Sequence, residues 1–119
     1  MNTINLKEKY SKFNEHWHPY IVAELNSNYV KLAKLKGEFI WHKHNDEDEL
    51  FVVIEGTLMM EFRDKTVEVK PGEILVVPKG VEHRPWTKDE VKVMLVEPKS
   101  TKHTGETIVE QTVTNLEWI

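Results

Sequence analysis

The stretch Gly37-Glu38-Phe39-Ile40-Trp41-His42-Lys43-His44-Asn45-Asp46-Glu47-Asp48-Glu49, followed seven residues later by Gly56, decides how this chain is read. On an extended strand successive side chains alternate between faces, so His42 and His44 leave the same face and can meet one ion. Glu49 cannot follow them in simple phase. The polar segment 45–48 lets the chain turn and bring Glu49 back from the start of the next strand as a third ligand. Downstream, Gly72-Glu73-Ile74-Leu75-Val76-Val77-Pro78-Lys79-Gly80-Val81-Glu82-His83 reads as an apolar strand and a Pro/Gly turn leading to a fourth candidate, His83. Three neutral imidazoles and one carboxylate suit one divalent transition metal per chain (Fe, Mn, Ni, Zn, Co or Cu), whereas Ca and Mg prefer all-oxygen shells.

Composition narrows the setting. The 119 residues supply one hydrophobic core, so a single domain over 1–119 is expected, with its core at about 20–98, an arm at 1–19 and a tail at 99–119. The net charge of −4 comes from 20 acidic and 16 basic residues dispersed along the chain. No Lys/Arg run provides the footprint that phosphate backbones require, so nucleic acid is not an expected partner. No apolar run reaches the roughly 18 residues of a membrane span, and Met1-Asn2-Thr3-Ile4-Asn5 lacks a signal-peptide layout. A cytoplasmic protein with no membrane partner is expected. With no cysteine, sulfur-based zinc sites and disulfides are excluded, and any metal must use His and carboxylate.

Outward from the central stretch, the chain is punctuated every eight to ten residues or so by turn-forming groups: Gly37, residues 45–48, Glu55-Gly56, Asp64-Lys65, Pro71-Gly72, Pro78-Lys79-Gly80 and Lys88-Asp89-Glu90. Regular short strands at this spacing predict an all-β sandwich or barrel. Leu58, Met60 and Phe62 alternate with Met59, Glu61 and Arg63, which predicts a hairpin with one face on a core. The unbroken apolar runs 50–54 and 74–77 predict strands buried on both sides. Pro71-Gly72 suits the centre of a type II turn. Before this body, Leu6, Tyr10 and Phe13 are spaced for one short amphipathic helix acting as a cover, and 20–25 and 29–35 read as strands around an Asn26-Ser27-Asn28 turn. After Pro98 a polar tail with a mixed stretch at 107–113 ends in Leu116, Trp118 and Ile119, a strap expected to return to the barrel.

The two motif stretches resemble the two conserved motifs of the cupin superfamily. Gly37, His42, His44, Glu49 and Gly56 match the first motif, and Gly72, Pro78, Gly80 and His83 match the second. The sequence departs from the pattern in a four-residue gap between Gly37 and His42, where five is commoner, and in Thr87, which stands where the family has Asn. The resemblance implies a double-stranded β-helix, that is, a jelly-roll barrel of six to eight strands. It also implies a metal near one mouth on His42, His44, Glu49 and His83, and commonly a homodimer.

Other residues carry weaker signals. His16 and His18 repeat the His-x-His spacing without a following Glu or Gly and read as surface or interface residues. His103 reads as solvated, and Asp46, Glu47 and Asp48 as a solvated rim. Phe39 and Trp41 fall opposite His42 in strand phase and need a cover, from a partner subunit, from the arm or from a second internal sheet. Ile40, Phe51, Met60, Phe62 and Trp86 are candidate pocket walls, with plain core as the other reading. Glu82 is a candidate proton-transfer carboxylate, with a surface charge as the other reading. Two functions remain open: a metal-dependent enzyme (oxygenase, isomerase or lyase type) acting on a small organic molecule, or a non-enzymatic small-molecule binding or sensing module. A metal-free assembly piece is harder to square with four matched ligands.

Overall fold

The computed structural model describes residues 1–105 and 115–119. The chain runs α1 (Leu6–Tyr10), β1 (Tyr20–Leu25), β2 (Asn28–Glu38), β3 (Glu49–Glu55), β4 (Leu58–Phe62), β5 (Thr66–Val69), β6 (Ile74–Val77) and β7 (His83–Pro98), and the paired strands are antiparallel. Strand β7 joins two layers. Its second half pairs with β2 and β3 in the order β1-β2-β7-β3-β6, whereas its first residues pair with β4, which pairs in turn with β5. Strand β2 follows β7 through the same passage by a register shift between Leu35 and Gly37, with Gly37 at φ +81°, where glycine pays no steric cost. The result is the jelly-roll barrel that the resemblance implied, with its short N-terminal helix.

Alternation explains the core. Leu58 and Met60 point inward from β4 and are sealed with Val53, Val91 and Val93. At Lys70-Pro71-Gly72-Glu73 the Glu73 N–H donates to the Lys70 carbonyl at 2.9 Å and Gly72 takes φ +82°, as a type II turn requires.

Three expectations need correction. The turn at Lys88-Asp89-Glu90 is instead the exposed middle of β7, where pairing passes from β4 to β3; charges on an outward-facing strand segment mimic a turn. Neither apolar run is buried on both sides: Ile74 and Val76 are 64% and 52% exposed, because β6 is a sheet edge and no described element covers its outer face, and Ile54 on β3 is exposed as well. The helix stops at Tyr10 rather than Phe13. Asn5 caps it by accepting the Glu8 N–H at 2.9 Å, and the Phe13 carbonyl accepts from Lys34 Nζ at 2.6 Å.

The segment nevertheless acts as a cover, as the sequence predicts. Tyr10 and Phe13 pack on Tyr20, Val22 and Leu32, and the Tyr10 hydroxyl donates to the Val93 carbonyl. At the other terminus the Ile21 N–H donates to the Glu117 carbonyl at 2.8 Å, and the Ile119 N–H donates to the Ile21 carbonyl at 3.1 Å, so the last residues return to β1. The mixed stretch at 107–113 lies outside the described residues. Among the described residues no helix is long and apolar enough to cross a membrane.

Candidate metal centre

His42 and His83 stand directly opposite one another. Each backbone N–H donates to the other's carbonyl, at 3.0 and 2.9 Å, and the ring centroids are 4.2 Å apart. In each, Nδ1 lies 2.9 Å from the carbonyl two residues earlier, Ile40 for His42 and Val81 for His83. A carbonyl only accepts, so Nδ1 carries the hydrogen and Nε2 keeps its lone pair for an ion. His44 follows two residues on, its ring 5.2 Å from that of His42 and 5.7 Å from that of His83. The segment between His44 and Glu49 is latched to the Pro78-Lys79-Gly80 turn. Gly80 N–H donates to the His44 carbonyl at 2.7 Å, and Lys79 N–H donates to Asp48 Oδ1 at 2.8 Å. Glu49 then opens β3 opposite Val77.

Ligand atoms from His42, His44, Glu49 and His83 all lie within 4.8 Å of one another, and the four residues are 5%, 3%, 3% and 0% exposed. Glu49 Oε1 is 2.7 Å from His44 Nε2 and 3.3 Å from His83 Nε2, yet none of these three buried atoms has a hydrogen-bond partner. They lie close enough to interact electrostatically but make no hydrogen bond of good geometry, and they converge on a common point. Each unpartnered buried polar atom costs roughly 1–3 kcal/mol, and one divalent cation would satisfy all three, so this donor set fits a transition ion. Burial and the neighbouring His83 push the His42 pKa down to about 4, so its imidazole is neutral at pH 7. Burial works to raise Glu49, but the imidazoles of His44 and His83 and the Glu97 carboxyl overcome it and hold Glu49 below the usual carboxylate range.

Behind Glu49 lie two residues that the sequence reading missed. Continuing the β3–β7 register one step past Leu50 and Val96 sets Glu49 beside Glu97, close enough for the two carboxyls to influence each other's proton affinity. Lys31 Nζ donates to Glu97 Oε1 at 2.9 Å, with both side chains sealed from solvent. Burial and the nearby Glu49 charge push the Glu97 pKa well above the carboxylate range, against the pull of Lys31. The available signal was phase: Glu97 continues the inward series Val91, Val93, Leu95, and Lys31 begins the series with Ala33 and Leu35.

Beside His42 and Glu49 the barrel holds a cavity walled by Ala33, Leu35, Phe51, Val93 and Leu95. Trp17, Phe39, Pro85 and His103 also line it. Of the five candidate wall residues, Phe51 borders this cavity. Met60 belongs to the sealed core, Phe62 borders a separate surface groove with Val67 and Leu75, and Trp86 pairs with Glu38 and Met59; Ile40 offers its carbonyl to His42. The phase argument failed here because β2 ends at Glu38, so Phe39, rather than Ile40, meets His42, edge to face at 5.5 Å. The arm supplies the cover for Phe39: Trp17 stacks on it at 4.6 Å. Trp41 lies instead beneath the Arg63 guanidinium at 3.8 Å. Glu82 is exposed and pairs with Arg63 at 3.0 Å, and it does not line the cavity. His103, expected to be solvated, lies 5.7 Å from the Phe39 ring. Thr87 hydrogen-bonds the Leu35 carbonyl at 3.3 Å, a structural link.

A jelly-roll barrel with three histidines and a glutamate converging at one end of an apolar interior defines a class of small barrel proteins able to hold a metal. The comparisons name the family. The chain belongs to the Cupin_2 family of cupin domains, whose model matches residues 28–98. It is similar to the crystal structure of a cupin-2 domain containing protein from Shewanella frigidimarina NCIMB 400, at a TM-score of 0.81 and 50% identity, covering 82% of this chain and 95% of that one. It is 42% identical over 80 residues to the uncharacterized protein YdbB of Bacillus subtilis (strain 168), covering 66% of this chain and 65% of that protein. It is 36% identical over 74 residues to acireductone dioxygenase 1 of Coprinopsis cinerea, covering 57% and 39%. The chain thus spans less than two thirds of the length of these two curated relatives.

Proposed function

We propose that the protein is a metal-dependent enzyme acting on a small organic molecule, with one divalent transition ion per chain held by His42, His44, Glu49 and His83. The observation that carries this reading is the convergence of three unpartnered buried ligand atoms beside an apolar cavity. A divalent ion held by these four residues would supply Lewis-acid chemistry toward a substrate oxygen. The chain's own residues do the rest. The carbonyls of Ile40 and Val81 hold the His42 and His83 rings in orientation. Glu97, held by Lys31, steadies Glu49. Among the described residues the titratable side chains lining the cavity are His42, Glu49 and His103, so with the first two engaged as ligands a substrate proton passes through His103 or water.

Of the oxygenase, isomerase and lyase chemistries, the likeness to acireductone dioxygenase 1 over 74 residues favours the oxygenase. The test is metal identification in protein purified without chelator, followed by oxygen uptake with catechols, diketones and sugars. Iron with substrate-dependent oxygen uptake is expected. Turnover without oxygen uptake would move the assignment to an isomerase or lyase, and no turnover would leave a binding module.

The chain is read as one domain over 1–119, placed in the cytoplasm, where a cysteine-free protein needs no oxidising compartment. It is also read as a homodimer. Strand β6 is an edge carrying exposed Ile74 and Val76, with exposed Ile54 on neighbouring β3, and such an edge invites a second copy of the chain. Light scattering is expected to give twice the chain mass, and Val76→Lys is expected to give the monomer.

A further inference from the structure

We propose that the molecule admitted to this cavity is monofunctional: a small apolar body with all of its polar atoms at the one end that meets the ion. The proposal rests on the reading of the four ligands as a metal centre. It excludes polyols, dicarboxylates and phosphate esters, which carry polar groups away from the reacting end.

The walls carry the argument. Among the described residues, every side chain lining the cavity apart from His42, Glu49 and His103 is hydrocarbon or aromatic. Among the described residues no lysine or arginine lines it, and the buried Lys31 is already paired with Glu97 at 2.9 Å. The one indole donor on the wall is engaged as well, because Trp17 Nε1–H donates to the Lys36 carbonyl at 2.9 Å. Away from His103 and the ligands, a hydroxyl carried into such a wall loses its water without gaining a partner among the described residues, a loss of roughly tenfold in affinity each. A second carboxylate or a phosphate away from His103 fares worse, since no lysine or arginine among the described lining residues compensates its charge.

The apolar wall is also held in place. Trp17 sits at φ +60°, a region that bulky side chains avoid, and its N–H donates to the Lys34 carbonyl at 2.9 Å. That conformation sets its ring flat against Phe39, with an interplanar angle of 14°. Size narrows the class further. The void open to the centre of a water molecule is ≈ 40 Å³, roughly three water positions, which suits a short chain or small ring. At the opposite end, one divalent ion with one carboxylate ligand leaves net positive charge, which suits a carboxylate, phenol or enol oxygen.

The test uses Co(II)-loaded protein and three probes: butyrate, succinate and xylose, followed by the visible spectrum of the cobalt. Butyrate is expected to bind at least about tenfold more tightly than succinate or xylose. Ala33→Val, which narrows the cavity, should weaken butyrate about tenfold while leaving Co(II) affinity within about twofold. If that variant fails to fold, Val93→Ile takes its place. Succinate or xylose binding as tightly as butyrate, or butyrate affinity unchanged in the folded filling variant, would overturn the proposal. Failure of Co(II) to bind would instead remove the metal-centre reading. The cavity is then judged in the metal-free barrel by 1-butanol against 1,4-butanediol, read as the Trp17 fluorescence difference between the protein and Trp17→Phe. A response to butanol alone supports the class, and equal or absent responses contradict it.

Discussion

At His42 and His44 the rings stand 5.2 Å apart and converge with His83 and Glu49, whereas at His16 and His18 the same spacing yields no cluster. There His16 Nε2 meets Glu90 at 2.7 Å on the surface, and the His18 ring lies against Tyr20. The spacing is identical; the backbone and its neighbours differ. His42 is bridged to His83, so a second strand delivers a ligand opposite the first. Between His16 and His18 stands Trp17 at φ +60°, which breaks the alternation, and no carboxylate-bearing strand start follows. Two histidines two apart make a site only where paired strands bring the remaining ligands to the same face.

The sharpest way to break this contrast is to remove a ligand from each pair. A buried four-ligand site binds with about 10–16 kcal/mol in all, so His83→Ala should weaken metal binding by roughly a thousandfold or more. The double variant His16→Ala with His18→Ala should stay within about twofold. Competition against a calibrated chelator reads both.

The next effect concerns the buried pair behind the centre. Glu97→Leu leaves the Lys31 ammonium sealed without a partner and should destabilise the metal-free protein by about 3–5 kcal/mol, read from urea unfolding. Adding Lys31→Met should recover most of that loss. Glu97→Gln, which keeps an acceptor for Lys31 and an amide donor beside Glu49, should hold metal affinity, whereas the loss of an outer-sphere contact typically costs 10–100-fold.

A smaller effect follows from His42, whose folded-state pKa lies near 4, below its ordinary 6.5. Between those values the unfolded chain binds a proton that the folded one refuses, so this group lowers stability as pH falls from about 6.5 to about 4. Metal-free wild type should therefore lose up to about 3 kcal/mol relative to His42→Ala across that window. Glu97, whose raised proton affinity acts in the opposite direction, is common to both proteins and cancels. A pH-independent difference would contradict the burial of a neutral His42. Smallest of all, His16→Ala removes an exposed pair with Glu90 and should change stability by less than about 0.5 kcal/mol.

Much of the architecture was legible because it is local. Turn residues punctuate the strands, and Leu58 and Met60 alternate as a one-sided hairpin must. The motif order also carried His83 to His42 across a strand and a turn. What escaped was tertiary. Phase reasoning needs a strand to persist, and β2 ends one residue before Phe39, so the wall was assigned to Ile40. Charged side chains are ordinarily outward, so Lys31 and Glu97 were passed over although their inward phase was visible. The run at Ile74 and Val76 reads as interior in the sequence, since an apolar run does not say which chain covers it.

The central claim, one ion on four named ligands, is tested most directly by stripping the protein with chelator, reloading it with Zn(II) and measuring metal content together with X-ray absorption at the zinc edge. One zinc per chain with three imidazole nitrogens and a carboxylate oxygen, and little or no zinc in His83→Ala, is the predicted result. Wild type that retains no zinc, or His83→Ala that retains as much as wild type, would contradict it.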